Sequence, residues 1–290
     1  MDFKQKVLVT GGNGLLGRLA VAALTFEHDV HALVHSFPRN PIDNVHYHVL
    51  DLSTSWDIDI LPSSIDTIIH LAQSGHFREF PEKALDVFRV NIDSTARLLD
   101  YARKNGVKRF IYASSGGIYG AGSQPFHENS PISPYGSLGY YLGSKLCGEV
   151  LVGNYAQYMI VVILRFFFLY GAGQKRFMLI PRLFDCVREG RPVLLQGKNG
   201  IRITPTHVCD ARDALIQCIH FQESRTLNIS GPEVLTIREI ADIMGECLHK
   251  RPVFESKPGK PEDYVANIES MKQLLGAPRI HFKEGIRSLI

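Results

Sequence analysis

Nowhere do the 290 residues hold an apolar run long enough to cross a membrane or to form a signal-peptide core. The opening stretch Met1-Asp2-Phe3-Lys4-Gln5-Lys6 passes directly into Val7-Leu8-Val9-Thr10, so a cytoplasmic protein with no membrane partner is expected. Runs of Lys or Arg interleaved with aromatics are also missing, and the formal charge is only +3, which argues against nucleic acid as a partner. The five cysteines, Cys147, Cys186, Cys209, Cys218 and Cys247, include no Cys-x-x-Cys pair. A disulfide framework is therefore not indicated, and ordinary buried thiols are expected. Of the twelve histidines, His46 and His48 sit at strand spacing and the others are scattered, so no metal site is expected.

What remains is the composition of a folded enzyme-sized chain: 45% hydrophobic and 21% charged residues, enough for one large domain or a domain with an attached lobe. Short apolar strand-like runs occur at Lys6–Thr10, Val30–Val34, His46–Leu50, Thr67–Leu71, Arg109–Ala113 and Ile160–Phe167. Helical patterns at Gly14–Phe26, Pro81–Asn105 and Tyr140–Tyr158 lie between them, the alternation that builds a parallel sheet covered on both faces. After Tyr170 the character changes. Loops alternate with a helical stretch at Ile180–Glu189 and another after a Thr236 cap, which predicts a second, smaller lobe. The expected division is residues 1–170 with about 203–229 returning to them, against 171–202 and 230–290.

Three patterns carry chemistry. Thr10-Gly11-Gly12-Asn13-Gly14-Leu15-Leu16-Gly17 joins the first strand to the first helix. In that context glycines let a dinucleotide pyrophosphate approach the backbone at a helix N-terminus, and a side chain at Gly14 is expected to block it. Tyr141-Leu142-Gly143-Ser144-Lys145 places a phenol and an ammonium one helical turn apart, where the cation is expected to lower the phenol's pKa and make Tyr141 a general acid/base. Ser115, at the end of a strand, is placed to orient a substrate oxygen. At Val34-His35-Ser36 the acidic residue that usually accepts from the NAD ribose is missing, which leans the cofactor toward NADP, with a protonated His35 or nearby Arg39 as the candidates to face its 2′-phosphate. Asp51 and Leu52, and Leu71, Ala72 and Gln73, end strands at the carboxyl edge where ligands bind.

In this order and context the glycine turn, Ser115, Tyr141 and Lys145 resemble the extended short-chain dehydrogenase/reductases, and more narrowly the NAD-dependent epimerase/dehydratase family. The likeness extends through Leu164-Arg165-Phe166 and His207-Val208-Cys209-Asp210. It implies a Rossmann-type doubly wound parallel α/β sheet with a smaller C-terminal substrate lobe. Ser115, Tyr141 and Lys145 then fall at catalytic positions. Gly11, Asn13, Gly14, Leu15, Leu16, Gly17, His35, Asp51, Leu52, Leu71, Ala72, Gln73, Asn91, Ala113, Tyr141, Lys145 and Phe166 fall at positions facing NADP or NAD. His76, Ser115, Gly116, Phe168 and Arg202 are the substrate candidates, and a homodimer is implied by analogy.

Four departures from the family stand out. Gly116-Gly117 replaces the acidic pair of the sugar dehydratases, Phe168 replaces a diphosphate-binding Asn, Arg202 sits one place early, and Gly259-Lys260 replaces a ribose-binding Gly-Asp. The expected function is epimerisation or keto reduction of a sugar or nucleotide-sugar by nicotinamide hydride transfer. The alternatives are an NADP-dependent reductase or dehydrogenase of a non-nucleotide carbonyl or alcohol, and a dinucleotide sensor without turnover, against which the complete Ser115, Tyr141 and Lys145 set argues.

Overall fold

The computed structural model describes residues 4–289; Met1, Asp2, Phe3 and Ile290, which the sequence reading included, lie outside the described residues. Strands β1 (Lys6–Thr10), β2 (Asp29–Val34), β3 (Val45–Val49), β4 (Thr67–His70), β5 (Arg109–Ser115) and β6 (Ile160–Phe166) join strand Arg225–Ile229 in one seven-stranded sheet. Its order is Arg225–Ile229, β6, β5, β4, β1, β2, β3. β1 runs parallel to β2 and β4, β2 to β3, and β4 to β5. Val7, Leu8 and Val9 are wholly buried, because a parallel sheet covered on both faces selects continuous apolar strands over alternating ones. The Rossmann-type expectation holds. Strand order reverses at β1, between β2 and β4, which marks the crevice at their carboxyl ends as the place for a ligand.

The helices depart from expectation in instructive ways. α1 is Gly17–Leu24, starting three residues later than expected because the glycine turn continues to Leu16. The single helix expected over Pro81–Asn105 is α2 (Ala84–Phe88), a π-helical turn (Arg89–Asp93) and α3 (Ser94–Lys104). At the junction the Ser94 hydroxyl donates to Val90 O and the Thr95 hydroxyl to Asn91 O at 2.8 Å, side-chain bonds that compete with the helical ladder. α4 spans Tyr135–Asn154 and is broken at Gly139 (φ 69°, ψ 170°), so its continuous part starts at Tyr140 as the spacing predicted. It ends at Asn154, short of Tyr158. The expectation of buried cysteines holds only for Cys218: Cys147 is exposed on the outer face of α4, and Cys186, Cys209 and Cys247 are half-buried. None of the helices among the described residues is long and apolar enough to cross a membrane.

The chain divides into two compact units: Met1–Ile118, Pro134–Arg165 and Leu215–Leu227, and Tyr119–Ser133, Phe166–Ala214 and Asn228–Ile290. In the second unit α5 (Leu179–Glu189) and the helix Ile237–Leu248 enclose a core that includes Phe184, Leu195, Ile240, Met244 and Phe282. The Thr236 cap is a full capping box with Glu239, as its sequence suggested.

In the first unit, the core around Leu8, Ile68, Leu98 and Phe110 runs beside a buried polar bridge. His70 joins Thr10 Oγ1 (2.7 Å) to Thr95 Oγ1 (2.9 Å) and, enclosed, is held neutral, its pKa pulled down to about 3 by burial and then by Lys145. An unfolded imidazole takes a proton near pH 6.5, so between that pH and about 3 the unfolded chain binds the extra proton and stability falls as pH falls. From pH 7 to 4.5 this one group is expected to cost roughly 2–3 kcal/mol. Urea denaturation of wild type and His70→Asn at both pH values checks it: the variant, less stable at pH 7, should show the smaller acid loss, and equal losses would refute the assignment.

Candidate active site

The glycine turn follows from its contacts. Gly11 has φ 71°, and a Cβ there would stand 2.9 Å from Ala72 N on the neighbouring strand end. At Gly17 a Cβ would meet Gly11 O at 2.1 Å, so this glycine is required for the helix to pack onto the turn. At Gly14 the nearest atom is Gly11 O at 3.1 Å, a milder protein clash than at the other two. No acidic residue and no side-chain cap occupies the first turn of α1, which leaves its N-terminus suited to an anion. Leu15 and Leu16 complete the turn. Asn13 Nδ2 donates to Ser36 O (2.7 Å), fastening the turn to the chain after β2. On the other side Leu71 N donates to Thr10 O (3.2 Å) and Ala72 N to Thr10 Oγ1 (3.2 Å).

At the far side of β2 the exposed His35 lies 3.6 Å from Asp51 Oδ1. Asp51 accepts from Ser53 Oγ (2.7 Å) and Ser53 N (2.8 Å), bonds that hold its carboxyl below the usual carboxylate range, and Leu52 beside it is buried. A carboxylate therefore stands beside His35 even though β2 itself ends without one. It comes from the chain two residues past β3, whose register sets Val49 against Val34.

α4 aligns three ionisable groups at intervals of four residues: Tyr141, Lys145 and Glu149. Lys145 is 2% exposed; its Nζ donates to Ala113 O (2.9 Å) and lies 5.4 Å from the centre of the Tyr112 ring. Burial pulls its pKa down to about 8, against the upward pull of Glu149. Tyr141 OH donates to Gln73 Oε1 (3.1 Å), and its ring packs 4.9 Å from Phe77. Burial pushes the phenol up to about 12, with Arg78 pulling it down. The expected lowering by Lys145 is thus reversed in this structure, because the ammonium is turned to Ala113 O and desolvation is the larger influence. Ser115 Oγ accepts from Gly117 N (3.2 Å), and a Cβ at Gly117 would stand 2.9 Å from Leu142 Cδ2. Gly116 begins the short helical turn Gly116–Tyr119.

Asn91, expected to face the cofactor, is 2% exposed in the π-helical turn, and its amide is committed to neighbours. It accepts from Ser74 N (2.8 Å) and donates to Ser144 Oγ (2.9 Å), which donates to Tyr141 O (2.7 Å). Asn91 therefore ties the chain after β4 to the turn of α4 that carries the phenol. His76 is exposed and paired with Glu79 at 2.9 Å. In the second unit, Phe166 ends β6, Phe168 has φ 39° and packs 6.1 Å from Tyr264, and Arg202 is held by Asp263 through Nε and NH2, both 2.7 Å. Sequence reading missed Asp263, Arg78, Ser144 and Glu149. Only Glu149 had a readable signal, as the next member of the four-residue series on α4.

A strand, a glycine turn shaped for pyrophosphate and a phenol and ammonium one helical turn apart together define a nicotinamide-dependent enzyme of the extended short-chain dehydrogenase/reductase class. The model of the "NAD dependent epimerase/dehydratase family" matches residues 7–230, and the chain belongs to that family. It is 28% identical over 253 residues to the uncharacterized UDP-glucose epimerase YtcB of Bacillus subtilis (strain 168), covering 81% of this chain and 76% of that protein. To the UDP-N-acetyl-alpha-D-glucosaminuronate decarboxylase of Bacillus cytotoxicus it is 27% identical, covering 99% and 97%. The solved structure of MoeE5 in complex with UDP-glucose and NAD is 28% identical, with a TM-score of 0.82 over 98% of this chain and 97% of its own.

The lean toward NADP is corrected by this last likeness, since that structure holds NAD. Asp51 supplies the physical reason: a carboxylate beside His35 would repel a 2′-phosphate and suits free ribose hydroxyls.

Proposed function

We propose that the chain is a cytoplasmic NAD-dependent epimerase of a nucleotide-linked sugar, oxidising and re-reducing one carbon while its cofactor stays bound. The observation that carries this reading is the placement of Tyr141 and Lys145 on α4, beside the carboxyl end of β5 where Ser115 stands. Bound NAD supplies the hydride acceptor and returns the hydride. Gly11, Gly14, Leu15, Leu16 and Gly17 would hold its pyrophosphate, Asp51 and Leu52 its adenosine, and Leu71, Ala72, Gln73 and Ala113 its nicotinamide half. Tyr141 takes the proton from the sugar hydroxyl and gives it back, Ser115 orients the oxygen, and Lys145 holds the phenol's surroundings positive. In this reading residues 171–202 and 230–290 are the substrate lobe.

Elimination of water is disfavoured, because the site of the dehydratase acid pair is Gly116-Gly117, and a side chain at Gly117 would require Leu142 to shift. The Arg202–Asp263 pair favours a second reading, an oxidoreductase of a carbonyl or alcohol without a diphosphate, since that guanidinium is already bound. Denaturing the freshly purified protein and weighing the released dinucleotide separates the two. About one NAD per chain, with epimer formation from a UDP-hexose followed by NMR, is the expected result. An empty site that exchanges cofactor with each turnover would favour the second reading.

A homodimer accompanies this proposal. Leu85 and Phe88 of α2 and Val150 of α4 are exposed apolar side chains, and covering them with a second copy removes that surface from water. Light scattering should return twice the chain mass, whereas a monomer at micromolar concentration would overturn the dimer.

A further inference from the structure

At the end of the sheet opposite the glycine turn, β2 and the edge strand β3 bring together three side chains the proposed reaction does not use. The parallel register sets His31 against His46, with Asp29 two residues earlier on the same face of β2. Asp29 Oδ1 is 3.3 Å from His46 Nε2 and 3.8 Å from His31 Nε2, and all three ligand atoms lie within 4.8 Å of one another. His31 is 8% exposed, and its Nε2 is buried without a hydrogen-bond partner. Its other ring nitrogen, Nδ1, is 2.9 Å from His48 Nε2.

The unsatisfied atom of this cluster is His31 Nε2. In the tautomer whose Nδ1 proton goes to His48, that nitrogen presents a bare lone pair toward a carboxylate 3.8 Å away, and two electron-rich groups facing each other away from water repel. A cation between them turns both into donors. We propose that Asp29, His31 and His46 bind one divalent transition-metal ion of the zinc class, which cross-links the outermost strand of the sheet to its neighbour.

Two imidazoles and a carboxylate are a recognised donor set for such an ion, with water in the fourth position. His48 acts as the outer partner that fixes the tautomer of His31 and leaves Nε2 free to coordinate. At metal–ligand bonds of about 2.0–2.1 Å, tetrahedral donors stand roughly 3.4 Å apart. Two of the three separations are already close to that, and the third closes by a swing of the His46 ring, whose side chain is 63% exposed.

The test uses tag-free full-length protein stripped with EDTA, titrated with zinc chloride in a calorimeter and with cobalt chloride under visible absorption. One zinc per chain is expected, with a cobalt band that is lost in His46→Ala. Asp29→Asn and His46→Ala should each weaken zinc binding by more than about tenfold, the scale on which even outer partners of a metal site act, and His48→Ala by about tenfold. His127→Ala, altering an exposed histidine elsewhere, should leave it unchanged. Circular dichroism of each variant confirms that it is folded, and Asp29→Asn and His46→Ala alter groups open enough to water to be replaced without opening the core. No saturable binding, or binding that both of those variants leave intact, overturns the proposal.

Discussion

Tyr141→Phe is expected to lower kcat for epimer interconversion by about 10²–10⁴-fold, the range typical of losing one general acid/base. A thousandfold loss corresponds to about 4 kcal/mol of barrier. The phenyl ring keeps the packing against Phe77 and loses only the hydroxyl and its bond to Gln73. KM and the amount of retained NAD should therefore stay close to wild type, the signature of an interaction made in the transition state. The pH dependence follows from the same site. A phenol held up to about 12 is almost wholly protonated at pH 7, so the enzyme must lower it for proton abstraction, and a positive charge beside it does so. Wild-type rate should rise with pH toward an apparent pKa well below 12, and the residual rate of Tyr141→Phe should lack that limb. Turnover undiminished in the variant would remove Tyr141 from the mechanism.

How far the sequence went is clearest from residues that sit close together in the chain. Gly11, Gly14 and Gly17 are readable because their role depends on a strand and a helix that adjoin in sequence. Tyr141 and Lys145 are readable because a helix places every fourth residue on one face. Cofactor preference was not legible at the end of β2, because the informative carboxylate, Asp51, lies just past β3. Only the register of Val34 with Val49 brings them side by side, and register is not written in either strand alone. Arg202 was read as a substrate candidate, and its partner Asp263 is sixty-one residues away. The π-helical turn at Asn91 was invisible because its apolar pattern reads as one helix; the Ser94 and Thr95 hydroxyls compete with the ladder there, and the Asn91 side chain is tied to Ser74 and Ser144 from two other parts of the chain. His31 and His46 are a further case, fifteen positions apart and unremarkable until the strands pair.

Removing Glu149 is expected to be the most damaging single change outside the reacting groups. Its carboxylate, 7% exposed, receives Arg165 from β6 through Nε (3.0 Å) and NH2 (2.7 Å), with the guanidinium itself 10% exposed. Glu149→Met takes the carboxylate away from a buried guanidinium and should cost about 3–5 kcal/mol, on the order of 10 °C in Tm for a chain of this size. The double variant Glu149→Met with Arg165→Met should recover much of that loss, because a buried pair replaced by apolar side chains of similar volume leaves no charge behind. A structural role alone would end there. Glu149 is also the group that pulls the Lys145 pKa upward against burial, one turn from Lys145 and two from Tyr141. Without it Lys145 should lose its proton below the present value of about 8, and the alkaline limb of the rate profile should move to lower pH in both the single and the double variant. Recovery of stability in the double variant with the shifted profile intact would separate the two roles of Glu149. A profile that returns with stability would mean that the carboxylate serves the fold and leaves Lys145 untouched.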